Sequence, residues 1–367
     1  MPSVRRFAAG IVLLGLLPGC AFAQARLSEL NLPDNLAIEE FARVPSARTL
    51  IVVPELDAMF VGSRGNDMHV VIGGIADSRG GGEIYKVPHT FRSVNGLAWH
   101  KGALYIAEQH RVLKWPLPDQ AAIRNFAPVE IFGGLPDKRH HGWRYAAVGP
   151  DEKLYIGVGA PCNICAVDGL EGTITRMNLD GSDVEVFARG IRNTVGLAFH
   201  PETGVLYFTD NGADNMGDDS PPEELNRAPR AGLHFGYPYY GGGADRTPQF
   251  RNAPLPDATE APVATFGAHQ APLGVHHYRG TALPEEYRRD AFVALHGSWN
   301  RTQKAGYRVM RVRMDGDGNV LGTEVFIDGW LRGETNWGRP VDIDELPDGS
   351  MLISDDYGGR IYRVSGK

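Results

Sequence analysis

The sequence is poor in cysteine, in long apolar runs and in positive charge. It has 3 cysteines among 367 residues and a formal net charge of −7. It also has no basic patch with interleaved aromatic residues, so the charge argues against a nucleic-acid partner. Long amphipathic helical patterns are nearly absent, whereas glycine (46) and proline (25) are abundant. This composition is typical of a β protein rich in turns.

The most prominent apolar run lies at the N-terminus. Two arginines precede an apolar segment (8–17), and residues 21–23 form an A-x-A site. This pattern predicts a secretory signal peptide over residues 1–23, and the run is too short to span a membrane comfortably. The sequence LLPGC also resembles a lipoprotein cleavage site, which would place a lipid anchor on Cys20. Both interpretations predict an exported protein, periplasmic or secreted, with a single domain over residues 24–367.

Two cysteines remain in the body of the chain, Cys162 and Cys165, in the sequence APCNIC. In an oxidising compartment, a C-x-x-C pair on a loop favours a small-ring disulfide over a metal site. A zinc site would need two further ligands nearby. We therefore expect this pair to clamp a loop.

A strand–turn–strand unit recurs along the chain. Its clearest copies are 96–115, 145–159, 196–212 and 341–364, and weaker copies are 57–87 and 289–320. Each copy contains a turn of Gly, Pro, Asp or His followed by a strand such as LYI or LYF, and such turns close tight hairpins. Six units in one long chain predict an all-β, six-bladed β-propeller, with segment 36–44 closing the ring. Five or seven blades, a β-sandwich or a β-helix are the alternatives.

Several loops depart from the repeat and carry polar side chains. These are residues 139–144, 190–194, 210–226 and 296–301, together with 337–342. Taken singly, each loop is more simply a solvated surface segment. Together they place arginines, a histidine pair and an oxygen-rich loop at the rims of different blades, where propeller sites form. Arginines around a histidine suit an anionic ligand with several carboxylates, and the oxygen-rich loop suits a cation such as calcium.

These residues carry a resemblance to a known family. The chain resembles the sorbosone/aldose dehydrogenase family of soluble quinoproteins over about residues 30–365. The resemblance rests on His141, eight residues ahead of a Gly-Pro-Asp turn, and on five further segments. Those segments are GIRNTVGLAFHPETG (190–204), EELNRAPRAGLHFGYP (223–238), APLGVHHYRG (271–280), FVALHGSWNR (292–301) and WGRPVDIDELPDGSMLISDD (337–356). The family implies a propeller that binds pyrroloquinoline quinone (PQQ) and calcium at one mouth of the channel.

The resemblance also implies roles for individual residues. His141 matches the catalytic base, which takes a proton from the sugar while the quinone accepts a hydride. The matching cofactor contacts are Arg192, Asn193, Arg339 and one of Asn300 or Arg301. Val341 stands where glucose dehydrogenases have a second arginine, so we expect Arg301 to supply part of the missing charge.

The same resemblance implies two calcium sites. Gly212 and Ala213 match the residues whose carbonyl groups bind the cofactor calcium. Glu224 matches an acidic ligand of a second, structural calcium, to which Phe235 offers a carbonyl group.

The substrate is a sugar whose identity the sequence leaves open, as it does the electron acceptor. Candidate sugar contacts are Asn95, Trp143, Trp299 and Trp337, although at least one of these tryptophans is expected in the core. Two other classes of propeller remain as alternatives. A calcium-dependent lactonase would hold its metal by carboxylate and amide side chains inside the channel, and a binding scaffold would need no convergence of His, Arg and Asx residues.

Overall fold

The computed structural model describes residues 26–367, which form six antiparallel sheets arranged as blades around a channel. The innermost strands of neighbouring blades contact one another around the whole ring. The six-bladed β-propeller that the repeats predict is therefore confirmed. The predicted signal peptide and Cys20 lie outside the described residues. Within residues 26–367, no helix has the length and apolar character needed to cross a membrane.

The first half of the chain contains strand β1 (Leu36–Ala42), which belongs to the last blade, and then builds three blades. The first blade comprises β2 to β5 (Leu50–Val53, Ala58–Val61, His69–Ile72, Glu83–Lys86). The second comprises β6 to β9 (Gly96–His100, Ala103–Ala107, Val112–Pro116, Val129–Phe132). The third comprises β10 to β13 (Tyr145–Val148, Leu154–Val158, Thr173–Met177, Glu185–Arg189).

The second half builds the other three blades. The fourth begins with β14 to β16 (Leu197–Phe199, Leu206–Asp210, Glu223–Ala228). The chain then adds β17 (Leu233–His234) in parallel to β13, before β18 (Ala264–Phe266) completes the fourth blade. The fifth comprises β19 to β22 (Pro272–His277, Ala291–Leu295, Arg308–Met314, Val320–Ile327). A small hairpin, β23–β24 (Leu331–Arg332, Thr335–Asn336), precedes β25 to β27 of the sixth blade (Pro340–Glu345, Met351–Asp355, Arg360–Gly366).

Helical structure is confined to short elements. Within residues 26–367 there are four 3₁₀ helices (Pro54–Leu56, Gln120–Arg124, Pro248–Phe250, Glu285–Tyr287).

The two ends of the chain meet in the sixth blade. Strand β1 pairs antiparallel with β27, with register from Leu36 opposite Gly366 to Ala42 opposite Ile361. The outermost strand of this blade therefore comes from the N-terminal side. This confirms that segment 36–44 closes the ring.

The LYI-type segments are the second strands of their blades, and they are buried on both faces. In β7, Leu104 and Ile106 pack into the apolar cluster with the first blade, whereas Tyr105 packs into the cluster with the third. Because both faces are covered, the sequences of such strands are continuous apolar runs and do not alternate between apolar and polar residues.

The two mouths of the channel are built differently. At one, which we call the hairpin mouth, first and second strands are joined by the segments 54–57, 101–102, 149–153, 200–205, 278–290 and 346–350. Positive φ angles at Glu152 (57°), Gly204 (66°) and Gly349 (83°) close three of these turns. The opposite end, the loop mouth, is formed by segments that precede the innermost strands or follow the second strands. The polar loops singled out in the sequence lie at the loop mouth.

Candidate active site

A cavity of about 400 Å³ opens at the loop mouth, and we call it the inner cavity. Charged, polar and aromatic side chains from loops of several blades line it: Arg48, Arg64, His140, His141, Trp143, Arg192, Asn193, Asn211, Asp214, Glu223, His269, His296, Trp299, Asn300 and Arg339. Residues separated by more than half of the sequence therefore share one cavity. The site depends on the whole ring, not on any one blade.

His141 lies in the loop ahead of β10, with φ of 50° and only 5% of its surface exposed. Its Nδ1 lies 2.9 Å from the carbonyl oxygen of Ala160. Because a carbonyl can only accept, Nδ1 carries the proton and Nε2 is left as an acceptor. A Cβ at Gly159 would lie 2.5 Å from that of His141, so only glycine allows this close approach.

The environment of His141 holds the imidazole neutral. Burial lowers its pKa well below the ordinary value, and the positive charge of Arg192 lowers it further. A buried, neutral imidazole with a fixed tautomer and a free acceptor nitrogen has the properties of a general base near neutral pH.

Arg192 is fixed by a network on the neighbouring loops. Its guanidinium forms a 2.7 Å ion pair with Asp214 and donates to the side chain of Asn163 at 2.8 Å. The backbone N–H groups of Arg192 and Asn193 donate to Asp210 at 2.8 and 2.6 Å. The side-chain oxygen of Asn193 is buried without a partner in the described residues. Buried polar atoms of this kind usually find a partner, so a ligand is expected beside it.

The C-x-x-C pair supports this network. Cys162 and Cys165 form a disulfide, as the sequence predicts, and Asn163 lies between them. The hydroxyl of Tyr237 accepts the backbone N–H of Cys165 at 3.1 Å. The clamped loop thus presents Asn163 to the guanidinium of Arg192.

On the other wall of the inner cavity, Arg339 donates to the carbonyl oxygens of His296 and Gly297 at 3.0 and 2.6 Å. Within residues 26–367 it forms no salt bridge with a carboxylate. Asn300 also lines the cavity, donating to Asp214 at 3.2 Å, and its buried side-chain oxygen has no partner among residues 26–367.

Arg301 lies elsewhere, which corrects the expectation that it adds charge to the cavity. Its guanidinium donates to the carbonyl oxygens of Asp218 and Ala268 and pairs with Asp219 at 3.2 Å. The loop around it is irregular, and neighbouring side chains there point in different directions. Of the two candidates, the structure brings Asn300 and not Arg301 together with His141.

Two arginines of the site were missed in the sequence. Arg48 precedes β2 just as Arg192 precedes β14, so the equivalent position in the repeat could have identified it. Its guanidinium pairs with Asp356 at 2.7 Å, and Asp356 also contacts His296 at 2.8 Å. Arg64 follows β3 and lies 3.9 Å above the ring of Trp143. No sequence signal identifies Arg64.

The four candidate sugar contacts separate into two pairs. Trp143 and Trp299 line the inner cavity, and Trp299 is 72% exposed. Asn95 is buried behind the cavity lining, where it accepts a hydrogen bond from Arg48 at 2.8 Å. Trp337 is buried in an apolar cluster, and its indole N–H donates to Gly329 at 2.9 Å. Asn95 and Trp337 are therefore positioned as structural residues, which corrects their assignment as sugar contacts.

Three of the four candidate calcium residues lie around a smaller cavity beside the first, whereas Ala213 is fully buried and lines neither cavity. Gly212 lines both cavities, and Glu224 and Phe235 line the smaller one. Burial raises the pKa of Glu224 to about 8 and that of Glu223, which also lines the inner cavity, to about 7. These carboxylates therefore lie where a nearby cation would offset the cost of burying their charge.

The backbone near Gly212 is open to a ligand. Among the described residues, no group donates a hydrogen bond to the carbonyl oxygens of Gly212 or Ala213. Within the same residues there is no cluster of three His, Cys, Asp or Glu side chains arranged to hold a metal. A calcium ion at this position would therefore depend on backbone carbonyls.

Comparisons with known proteins agree with this geometry. The profile of the Glucose / Sorbosone dehydrogenase family matches residues 104–363. An uncharacterized protein of Borreliella burgdorferi is 31% identical over 356 residues, covering 93% of this chain and 92% of that protein. Quinoprotein glucose dehydrogenase B of Acinetobacter calcoaceticus is 26% identical over 172 residues, about a third of each chain (35% and 34%).

Solved structures show the same fold. The holo form of the pyranose dehydrogenase PQQ domain from Coprinopsis cinerea superposes with a TM-score of 0.75 at 17% identity, covering 92% of this chain and 97% of that domain. Since the family profile spans well over half of the sequence, the chain belongs to the glucose/sorbosone dehydrogenase family and is an oxidoreductase of the sugar dehydrogenase type.

Proposed function

We propose that this protein is an exported, PQQ- and calcium-dependent dehydrogenase that oxidises an aldose or a sugar aldehyde. The observation that carries the proposal is the placement of His141 in one cavity with Arg192, Arg339 and Asn300. A neutral base and cationic donors for an anionic cofactor thus face the same space.

The side chains present fit a quinone with three carboxylates. Such a group needs charged or amide donors when it leaves water. Arg339 has no carboxylate partner within the described residues, and Asn193 and Asn300 each keep a buried polar atom unpaired. We propose that these three residues and Arg192 would hold the cofactor.

The carbonyl groups of Gly212 and Ala213 would hold its calcium, and Glu224 with the carbonyl group of Phe235 would contribute to a second calcium. Calcium prefers oxygen ligands of this kind on flexible loops. The raised pKa values of Glu223 and Glu224 support a cation nearby, because a positive charge would offset their burial.

His141 would act on the sugar. Its Nε2 is the acceptor nitrogen, so it can take the proton of the hydroxyl group that is oxidised, while Ala160 keeps Nδ1 protonated. Bound quinone supplies the acceptor for the hydride that leaves the sugar carbon. Arg192 favours the neutral imidazole and offers positive charge on the same side. A general base contributes on the order of 10²–10⁴ in rate.

Export is part of the proposal. The disulfide between Cys162 and Cys165 favours an oxidising compartment, in agreement with a signal peptide over residues 1–23 or a lipid anchor at Cys20. Mass measurement of the mature N-terminus distinguishes the two, since a lipoprotein would begin at a lipidated Cys20.

The lactonase alternative requires carboxylate side chains around a metal in the channel. The inner cavity contains two carboxylates, Asp214 and Glu223, of which Asp214 is paired with Arg192, but its lining also has four arginines, which favours an anionic cofactor over a hydrolytic metal centre. The two functions differ in a simple assay. We expect the purified protein to bind PQQ with calcium, to show a bound-quinone spectrum and to reduce a dye when sugar is added. Failure to bind PQQ at any calcium concentration, together with lactone hydrolysis, would contradict the proposal.

A further inference from the structure

A second cavity of about 500 Å³ adjoins the inner cavity on the outside of the loop mouth. We call it the outer cavity, and it is lined by Arg64, Ser93, Arg139, His140 and Trp143. Arg64, His140 and Trp143 line both cavities. A molecule that reaches His141 from this side therefore passes two arginines.

The cations of the outer cavity differ from those deeper in the site. Arg48 and Arg192 are paired with Asp356 and Asp214. Within residues 26–367, neither Arg64 nor Arg139 forms a salt bridge, and the lining of the outer cavity contains no carboxylate. The protein as a whole carries a net charge of −7, so this is a local excess of positive charge on an acidic protein.

Arg64 is also held in a defined orientation. Its guanidinium lies 3.9 Å above the ring of Trp143, an attractive cation–π arrangement that leaves the N–H edge of the group free. A planar guanidinium with a free edge binds a carboxylate through two parallel hydrogen bonds. The same contact covers one face of Trp143, so that face is not open to stack on a sugar ring.

The surroundings of Arg64 favour an anion. Partial burial lowers the pKa of its guanidinium, and the positive charges of Arg48 and Arg339 lower it further, against an opposing effect of Asp356, whose carboxylate is itself paired with Arg48. The donors proposed for the quinone lie in the inner cavity, whereas Arg139 lines only the outer one. An anion that contacts Arg139 would therefore be a group separate from the cofactor.

We infer that the outer cavity binds an anionic group on the sugar, a carboxylate such as that of a uronic acid, so that acidic sugars are preferred over neutral ones. The inference rests on the proposed sugar dehydrogenase function and specifies its substrate class. The carboxylate would contact Arg64 and Arg139, and the sugar would extend inwards to His141.

The test compares matched sugars that differ only in the carboxylate. With the PQQ- and calcium-loaded enzyme, we expect a lower KM for glucuronate than for glucose, and for galacturonate than for galactose. The substitution Arg64→Gln should reduce the ratio of the two kcat/KM values about ten-fold, the usual loss for a hydrogen-bonded charge pair. Arg139→Gln should reduce it less. Raising the salt concentration should reduce it as well, because these charges are near solvent.

The matched control is Arg230→Gln. Arg230 is exposed and lies just after β16, at the end of that strand remote from the inner cavity. The substitution therefore removes the same charge far from the outer cavity. We expect this variant to keep the ratio of the wild-type protein. Glucose 6-phosphate tests whether the outer cavity prefers a carboxylate to other anions. If Arg64 binds a carboxylate through two parallel hydrogen bonds, glucuronate should be the better substrate of the two.

Measuring sugar binding in the absence of turnover distinguishes failure of this inference from failure of the proposed function. Glucuronate should quench the tryptophan fluorescence of the cofactor-free protein, and Arg64→Gln should weaken that binding. An enzyme that binds PQQ and oxidises glucose and glucuronate equally well would overturn the inference and leave the function intact. So would an Arg64→Gln variant that loses affinity for PQQ with an unchanged sugar ratio. Glucuronate binding to a protein that binds no PQQ would support the anion site and contradict the dehydrogenase.

Discussion

The two mouths of the channel are formed by the same six innermost strands, yet they differ in the number of arginines that line their cavities. At the hairpin mouth, His276 pairs with Glu345 at 2.6 Å, and Asp344 accepts the backbone N–H of Val52 at 2.8 Å. A cavity of about 340 Å³ lies there, with Arg279 as the one arginine in its lining. Both ring nitrogens of His277 are buried there without a partner in the described residues, so this end differs from the other in its few arginines and not in complete pairing.

At the loop mouth, four arginines line one cavity and two of them, Arg64 and Arg339, have no carboxylate partner within the described residues. Asn193 and Asn300 keep unpaired polar atoms beside the same space. A cluster of arginines around one cavity, two of them without a carboxylate partner, marks the loop mouth as the end suited to an anionic ligand, whereas the cavity at the hairpin mouth has one arginine in its lining. Three comparisons set a residue at the loop mouth against one at the hairpin mouth, and a fourth prediction concerns the channel wall between them.

The largest expected effect concerns the two histidines. His141→Asn should lower turnover by about 10²–10⁴-fold, since it removes the general base, while affinity for PQQ is retained. His276→Asn, at the hairpin mouth, should change turnover by less than about two-fold, because it removes only a contact with Glu345 that lies outside the inner cavity. Steady-state kinetics on the PQQ-loaded proteins give both values.

His140 provides a second comparison for the same prediction. It is adjacent to His141, but it is exposed and does not make the contact with Ala160. A severe loss of turnover in His140→Asn with a nearly silent His141→Asn would place the base one residue away from our assignment.

The next effect concerns cofactor affinity. Arg339→Gln should weaken PQQ binding about ten-fold or more, as it removes a cation from the proposed carboxylate cradle. Arg279→Gln makes the same change at the hairpin mouth and should leave binding unaltered. Titration of PQQ followed by its absorbance measures both. Equal affinities in the two variants would remove Arg339 from the cradle.

Calcium should stabilise the loop mouth selectively. Chelation is expected to abolish activity and lower Tm by roughly 5 °C or more, because binding to the folded state alone raises its stability. Glu224→Gln should reduce the gain in Tm on adding calcium, and Glu345→Gln at the hairpin mouth should not. Full activity in a metal-free sample would contradict the calcium dependence.

The smallest effect concerns the channel wall between the mouths. Burial raises the pKa of Asp342 to about 7, and its carboxylate accepts from the backbone N–H of Leu50 at 2.9 Å and from the hydroxyl of Tyr145 at 3.0 Å. Its folded pKa is above the unfolded value of about 3.9. Its contribution to stability is therefore complete below pH 4 and is lost as the pH rises through 7.

Asp342→Asn should therefore flatten the fall in unfolding free energy between pH 4 and 7, by up to about 1.4 kcal/mol per pH unit. Chemical denaturation at several pH values measures the slope. A variant with the slope of the wild-type protein would show that Asp342 does not titrate in this range.

The fold could be predicted because its signals are local and repeated. The turns at Glu152, Gly204 and Gly349 need residues that tolerate positive φ, and each is followed by an apolar second strand. Burial on both faces keeps these strands apolar, so the repeat stays visible in the sequence. The role of β1 could also be predicted, because the last repeat supplies only three strands and the blade needs a fourth.

The site was only partly predictable, because it lies in loops without periodicity. Asn300 and Arg301 are neighbours that point to different places, and spacing alone does not decide between them. Trp337 follows the hairpin β23–β24, which has no counterpart in the other blades, and this hairpin helps to bury it against Trp330. Arg48 could have been found by comparing equivalent positions of blades, whereas Arg64 depends on a contact with Trp143 that only the folded structure brings about.

A crystal structure of the protein grown with PQQ and calcium tests the central claim most directly. The account predicts the quinone at the loop mouth, with its carboxylates on Arg339 and Arg192 and the Nε2 atom of His141 facing its reactive ring carbon. A quinone bound at the hairpin mouth, or at the loop mouth with His141 turned away from it, would contradict the account.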